Sequence, residues 1–133
     1  MILRKEMRSL GLDLEDLFYM TNAVKCWPSD RSGKNRSPLS SECAQCRSFL
    51  EREIAAVNPQ AIVTVGGRAA EAVLGRKVAV REAHGKKLFR DAIAVYPIIH
   101  PSNANRLMSW AAYKTSVRRL FRRLSLEAPK EGR

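Results

Sequence analysis

Apolar residues fall into short runs separated by polar, turn-forming stretches, so that extended and helical segments alternate along the chain. Leu3, Met7 and Leu10 recur at helical spacing through residues 2–10, and Gly11 supplies a usual helix stop. Leu17-Phe18-Tyr19-Met20-Thr21 is a short, partly aromatic run that reads as a buried strand. Residues 28–38, from Pro28 to Pro38, are polar, basic and rich in turn formers, hence a loop. Ser40 or Ser41 can cap the next helix, with Glu42 in its first turn. On that helix Cys43, Cys46, Phe49, Leu50, Ile54 and Val57 share one face, and Asn58-Pro59 stops it. A second buried strand covers 61–65 (AIVTV) and is turned by Gly66-Gly67 into a short helix from Ala69 to Leu74, which Gly75 ends. Residues 77–91 suggest a strand-like excursion with a turn at His84-Gly85. Ile93 to Ile99 is a third apolar strand, closed by His100-Pro101. The last helix runs from about Ser109 to Leu124. It buries Trp110, Tyr113, Val117, Leu120 and Leu124 and shows Arg118, Arg119, Arg122 and Arg123 on its other side.

Strands alternating with helices predict the α/β class, three layers with a short parallel sheet between helices. Ligands of such sheets sit outside the carboxyl ends of the strands. Three segments stand at those ends: Thr21-Asn22, Gly66-Gly67 and His100-Pro101-Ser102. The length of 133 residues suits one domain, predicted over 1–126, with 127–133 a frayed tail.

Charge adds a partner class. Lys and Arg number 24 against 13 Asp and Glu, a formal net charge of +11, which favours a polyanion such as DNA, with simple solubility or an anionic membrane surface as the plainer readings. No apolar run approaches the roughly 20 residues of a membrane span. The first 16 residues carry acidic side chains and no apolar signal core, so the expectation is a cytoplasmic protein. Three cysteines, Cys26, Cys43 and Cys46, are an odd number without an export signal. That argues against a disulfide framework and leaves metal, cluster or packing.

Two side chains at the strand ends could carry chemistry. The amide of Asn22 offers a donor and an acceptor, enough to pair with the edge of a base or to cap a turn. His100 could donate as a neutral imidazole to a developing anion, or simply satisfy its own turn. Pro101 forces the chain to bend directly after it.

The order of motifs goes further. Residues 19–28 (YMTNAVKCWP) resemble the Y-x-T-N-x-V-K-C-x-P segment of family 4, iron–sulfur uracil-DNA glycosylases. Arg36-Ser37-Pro38, Glu42 and the run from Cys46 to Ile54 are similar to that family's R-x-P, E and C-R-x-(F/Y)-L-E-x-(E/Q)-I. Residues 59–66 (PQAIVTVG) match its next strand, Gly85-Lys86 its R-G-K/R turn, and His100-Pro101-Ser102 with Arg106 its H-P-S/A…R motif. Order and spacing agree over most of 10–124, apart from extra residues in the loop between Cys26 and Arg36.

The resemblance implies specific roles. Asn22 would read the flipped uracil, and His100 would stabilise the uracil anion as the glycosidic bond breaks. Pro101 and Ser102, in the loop running to Arg106, would hold the base out of the stack, with Leu107 as a candidate wedge. Gly66, Gly67 and Arg106 would approach DNA phosphate, as would the arginines of the last helix. The family also implies a 4Fe–4S cluster on four cysteines, of which Cys26 and Cys46 match two; Cys43 falls where the family has an apolar residue. The family's first strand, its first C-x-x-C and the G-E-A-P-G loop that positions the attacking water match nothing here. Glu6, Asp13, Glu15 and Asp16 sit in no such loop. Three explanations compete: a true start upstream of Met1, a shortened relative that binds DNA without cleaving it, and completion by a separate amino-terminal polypeptide. Outside the family, the alternatives are a zinc-stabilised nucleic-acid module using Cys26, Cys43, Cys46 and His84 or His100, and a plain interaction domain.

Overall fold

The computed structural model of the chain describes residues 5, 8, 11, 18–21 and 40–127, with the backbone alone at 40–46 and 105. Two compact units divide it, one of Met1–Met20 with His100–Arg133 and one of Thr21–Ile99.

The Thr21–Ile99 unit holds the sheet. Helix α1, Ser40–Val57, ends where Asn58 takes a left-handed φ of 50° and gives its N–H to the Ile54 carbonyl at 2.8 Å. Asparagine tolerates that conformation, and Pro59 then prevents continuation. Strand β1 follows at Ala61–Val65, helix α2 at Gly67–Leu74, a helical turn α3 at Val80–Ala83, strand β2 at Leu88–Arg90 and strand β3 at Ile93–Ile98. The strand order is β1-β3-β2. β1 and β3 pair in parallel from Ala61↔Ala94 to Val65↔Ile98, whereas β2 pairs with β3 antiparallel from Leu88↔Val95 to Arg90↔Ile93.

The α/β class stands, with a mixed rather than a parallel sheet. Asp91-Ala92 is the cause: a two-residue loop can join only antiparallel strands, and Asp91 adopts the positive φ (51°) that such a turn demands. Pro97 lies inside β3 without cost to the β1 ladder. Its carbonyl accepts from Gly85 N–H at 2.8 Å, so its polar groups face the β2 side, beyond the last β2 pair at Val95. The donor it lacks would have met no strand.

Leu50, Ala72, Val73 and Val95 form the buried core of this unit, with Ile54, Ile62 and Leu74 packed on it. Full burial of a valine such as Val95 stabilises by about 1.5–3 kcal/mol. Phe49 and Val57, predicted on the same helix face, are exposed. They sit at the rim of the stripe set by Leu50 and Ile54, and the Arg52 guanidinium covers the Phe49 ring at 5.5 Å.

In the other unit Lys5 and Arg8 are helical, and Gly11, at φ 74°, donates its N–H to the Arg8 carbonyl at 2.9 Å, the predicted glycine stop. A 3-10 turn, Pro101–Asn103, leads into α4, Ala104–Leu107, and α5, Trp110–Glu127. α5 buries Tyr113, Val117, Leu120, Phe121 and Leu124, while Arg118, Arg119, Arg122 and Arg123 are exposed. Trp110 is only half-buried and stacks on Tyr113, centroids 5.5 Å apart. Phe121 takes the buried place instead, because position 121 follows 113 and 117 at fourfold spacing.

Phe18 to Thr21 form no strand. A strand needs a ladder partner to satisfy its backbone, and none pairs with these four among the described residues. Phe18 turns its ring onto Phe121, centroids 5.5 Å apart, and Tyr19 and Met20 stay exposed.

Candidate functional site

β3 is buried from Ala94 onward and delivers the chain to His100 two residues after it ends. His100 holds φ −62° and ψ 136°, the extended conformation that a residue before proline is driven to adopt. Its side chain caps the 3-10 turn. Nδ1 accepts the Ser102 backbone N–H at 3.1 Å and lies 2.8 Å from Ser102 Oγ. A backbone N–H can only donate, so Nδ1 is the acceptor and the neutral ring carries its proton on Nε2. The turn is closed further by Asn103 N–H to the His100 carbonyl at 2.9 Å. Arg106 Nη2 donates to Asn103 Oδ1 at 3.3 Å, which ties the exposed arginine to the same turn. His100, Ser102 and Asn103 are exposed, Pro101 and Leu107 half-buried, and Ala104 fully buried beneath them.

The sequence-predicted residues therefore divide. His100, Pro101, Ser102 and Arg106 share one turn and its following helix. Gly66 and Gly67 belong to the other unit, at the start of α2. Gly66 has φ 92° and ψ 164°, a conformation open only to glycine, and in it donates to the Ile98 carbonyl at 2.9 Å. Gly67 has no such need: among the described residues a Cβ there would meet nothing within 4 Å. The first N–H groups of α2 have no acceptor within the helix. Asn22 and Cys26 lie outside the described residues, and of Cys43 and Cys46 only the helical backbone in α1 is described.

A four-thiolate cluster needs four cysteines, and the chain contains three. Among the described residues no group of three or more His, Cys, Asp or Glu side chains could hold a metal ion. This donor set does not fill a cluster by itself. Nor does His84 offer Nδ1 to zinc, because that atom accepts the Ile99 N–H at 2.9 Å.

Several motif residues are structural. Glu51 receives both guanidinium nitrogens of Arg90, Nη1 at 2.9 Å, and Arg90 Nη1 also reaches the Val73 carbonyl at 2.9 Å. Arg47 stands 3.4 Å from the same carboxylate. The hydrogen bonds from Arg90 hold the Glu51 carboxyl below its usual range, and the same bonds raise Arg90. One guanidinium thus fastens β2 to α1 and to the last turn of α2. Sequence reasoning missed Arg90, since its partner lies 39 positions away and no periodicity connects them. The sequence offered His84 as a turn residue and as a zinc ligand; its imidazole is half-buried, and that burial pushes it below the ordinary histidine range. Thr21, adjacent to Asn22, donates its hydroxyl to Glu53 at 2.9 Å. Thr64 Oγ1 is buried in β1 with no hydrogen-bond partner among the described residues.

Fold and turn together define an α/β protein that presents a histidine donor just beyond the carboxyl end of a buried strand. The family model of the Uracil DNA glycosylase superfamily matches residues 1–124, and the chain belongs to that superfamily. It is 35% identical over 104 residues to a type-4 uracil-DNA glycosylase of Thermotoga maritima, covering 77% of this chain and 52% of the relative. A type-4 enzyme of Saccharolobus solfataricus is 32% identical over 103 residues, 71% of this chain and 45% of the relative. A type-5 enzyme of Pyrobaculum aerophilum is 40% identical over 89 residues, 65% and 37%. These similarities bear out the family 4 resemblance. The chain spans about half the length, or less, of these relatives. Among the described residues no helix is long and apolar enough to cross a membrane.

Proposed function

We propose that the chain is a uracil-DNA glycosylase-like protein of base excision repair, acting on uracil flipped out of DNA. The observation that carries this reading is the Ser102 N–H on His100 Nδ1. It keeps the proton on Nε2, where a neutral imidazole can donate to the oxygen of the departing uracil anion. Such a donor is effective because it is oriented before charge develops. In the same reading Asn22 pairs with the uracil edge, Pro101 and Ser102 keep the base extruded, and Gly66, Gly67 and Arg106 meet phosphate. The cluster that the family 4 resemblance implies would draw on Cys26 and Cys46 as two of its four thiolates; none of the roles above involves a cysteine.

Glycosidic hydrolysis also needs an aligned water. The 133 residues contain no G-E-A-P-G string, so the chain tested alone is expected to bind DNA in a salt-sensitive manner and to excise uracil slowly. A catalytically silent DNA-binding relative is the second reading, favoured by that missing string. Excision from a uracil-containing oligonucleotide, compared with His100→Ala, separates the two. Rapid turnover abolished by His100→Ala would support the glycosylase and refute the argument about the water. DNA binding without any His100-dependent excision would leave the silent relative.

A further inference from the structure

β2 stops pairing with β3 at Val95, yet β3 continues for three more residues, to Ile98, and Ile99 alone separates it from His100. Its far edge is nevertheless satisfied. Ala83 to Lys86 form a type II turn: His84 has φ −51° and ψ 121°, Gly85 has φ 74°, and Lys86 N–H returns to the Ala83 carbonyl at 2.9 Å. From this turn Gly85 N–H donates to the Pro97 carbonyl at 2.8 Å. The next group on that edge is the N–H of Ile99, and it meets His84 Nδ1 at 2.9 Å. The imidazole stands where a further residue of β2 would have placed a carbonyl.

From this geometry we infer that His84 is a positioning residue for the His100 turn, its neutral ring supplying the last rung of the sheet immediately before His100. This rests on the function proposed above only in what the turn is for. Ile99 is one peptide bond from His100, so the point at which the chain leaves the sheet for the His100 turn is fixed where Ile99 is held. A proton on His84 Nδ1 would turn the acceptor into a donor and break the rung. Among the described residues, His84 directly follows α3, which packs against β3. The charged groups beside it in the sequence, Arg81, Glu82, Lys86 and Lys87, are all exposed, and β3 and Ile99 carry no ionisable group except Tyr96. The burial that lowers the affinity of His84 for a proton keeps the ring neutral at physiological pH.

The test is nuclear magnetic resonance on the whole chain. At neutral pH a scalar coupling across the hydrogen bond is expected between the Ile99 amide nitrogen and His84 Nδ1; its absence overturns the proposal. His84→Phe keeps a ring and removes the acceptor. It is expected to speed Ile99 amide exchange about threefold to tenfold, the worth of one hydrogen bond, and to shift the His100 ring resonances. His84→Asn places an amide oxygen near the Nδ1 position and should restore both. Unchanged Ile99 exchange and His100 signals in His84→Phe would also overturn the proposal. Should that variant unfold, the coupling in the native chain and the rescue by asparagine still decide. Uracil excision is scored separately: its absence from the native chain counts against the proposed function, while the coupling and the His100 shifts judge the rung.

Discussion

Gly66 and Gly67 stand side by side at the start of α2, and the structure assigns them opposite responses to alanine. At Gly66 the backbone occupies φ 92° and ψ 164°, where any Cβ is strained by about 1–3 kcal/mol. Relaxing φ would not rescue the substitution, because the Gly66 N–H holds Ile98 and its carbonyl accepts Ala70 N–H at 3.2 Å. Gly67 is the first residue of the helix, outside the left-handed region, and faces open space. Alanine there should stabilise by about 0.4–1 kcal/mol, mainly by restricting the unfolded chain. Urea denaturation should therefore place the midpoint of Gly66→Ala below, and that of Gly67→Ala above, the native value, with unchanged slopes. Equal losses in both variants would refute the argument. The same pair separates fold from function. If the N–H groups of α2 meet phosphate, the Cβ of Gly67→Ala intrudes on that approach and weakens DNA binding in a chain that has become more stable. Stabilisation with DNA affinity intact would remove Gly67 from the proposed interface.

Arg90→Leu should cost about 1.5–3 kcal/mol, the range for charge-assisted bonds, towards the lower end because Glu51 is partly exposed; a loss below about 0.5 kcal/mol in urea would show the clamp to be idle. Glu51, held below its ordinary range, contributes stability that is present above the unfolded carboxyl value of about 4.5 and lost as pH falls through the folded one, and Arg90→Leu should flatten that acid limb. His84 binds a proton less readily in the fold than in the unfolded chain, so its contribution is present above about pH 6.5 and lost on acidification; His84→Asn should remove that part of the pH profile. Tyr113, pushed up to about 12 by burial, favours the fold below pH 10 and withdraws that support as pH rises towards 12. Phenolate absorbance should show Tyr113 titrating late, and Tyr113→Phe should remove that contribution.

Elements bounded by their own punctuation were legible. The apolar runs of β1 and β3 end at Gly66 and at His100-Pro101, and α2 ends at Gly75, whose φ of 74° is that of a left-handed cap. Burial along α5 follows its apolar spacing, with Phe121 in place of Trp110. Residues 77–91 were opaque because their structure depends on partners. β2 is three residues long and exists by pairing with β3 across a turn, Asp91-Ala92, that lacks the usual glycine. Phe18 to Thr21 misled for the complementary reason: composition made the segment strand-like, but a strand is a property of two neighbours. At the site, the His-Pro-Ser string was visible while its tautomer was not. Which ring nitrogen keeps the proton follows from a hydrogen bond that only the folded turn discloses.

That tautomer allows the proposed catalytic role of His100 to be separated from its structural one. Asparagine at position 100 would put an amide oxygen near the place of Nδ1 and could still accept the Ser102 N–H, as asparagine does at helix starts. It would not reproduce Nε2–H. His100→Asn should therefore keep the turn, with stability within about 0.5 kcal/mol of native, and lose the donor proposed to meet the leaving uracil. Removing one preorganised donor of this kind costs about 10²–10³ in rate. Aligning the water and stabilising the leaving group are separable contributions, so slow excision by this chain should still depend on His100. The measurement is single-turnover release of uracil, with protein in excess over a uracil-containing oligonucleotide. A native rate no faster than that of His100→Asn, in two equally stable proteins that bind the oligonucleotide alike, would show that the ring only closes its turn.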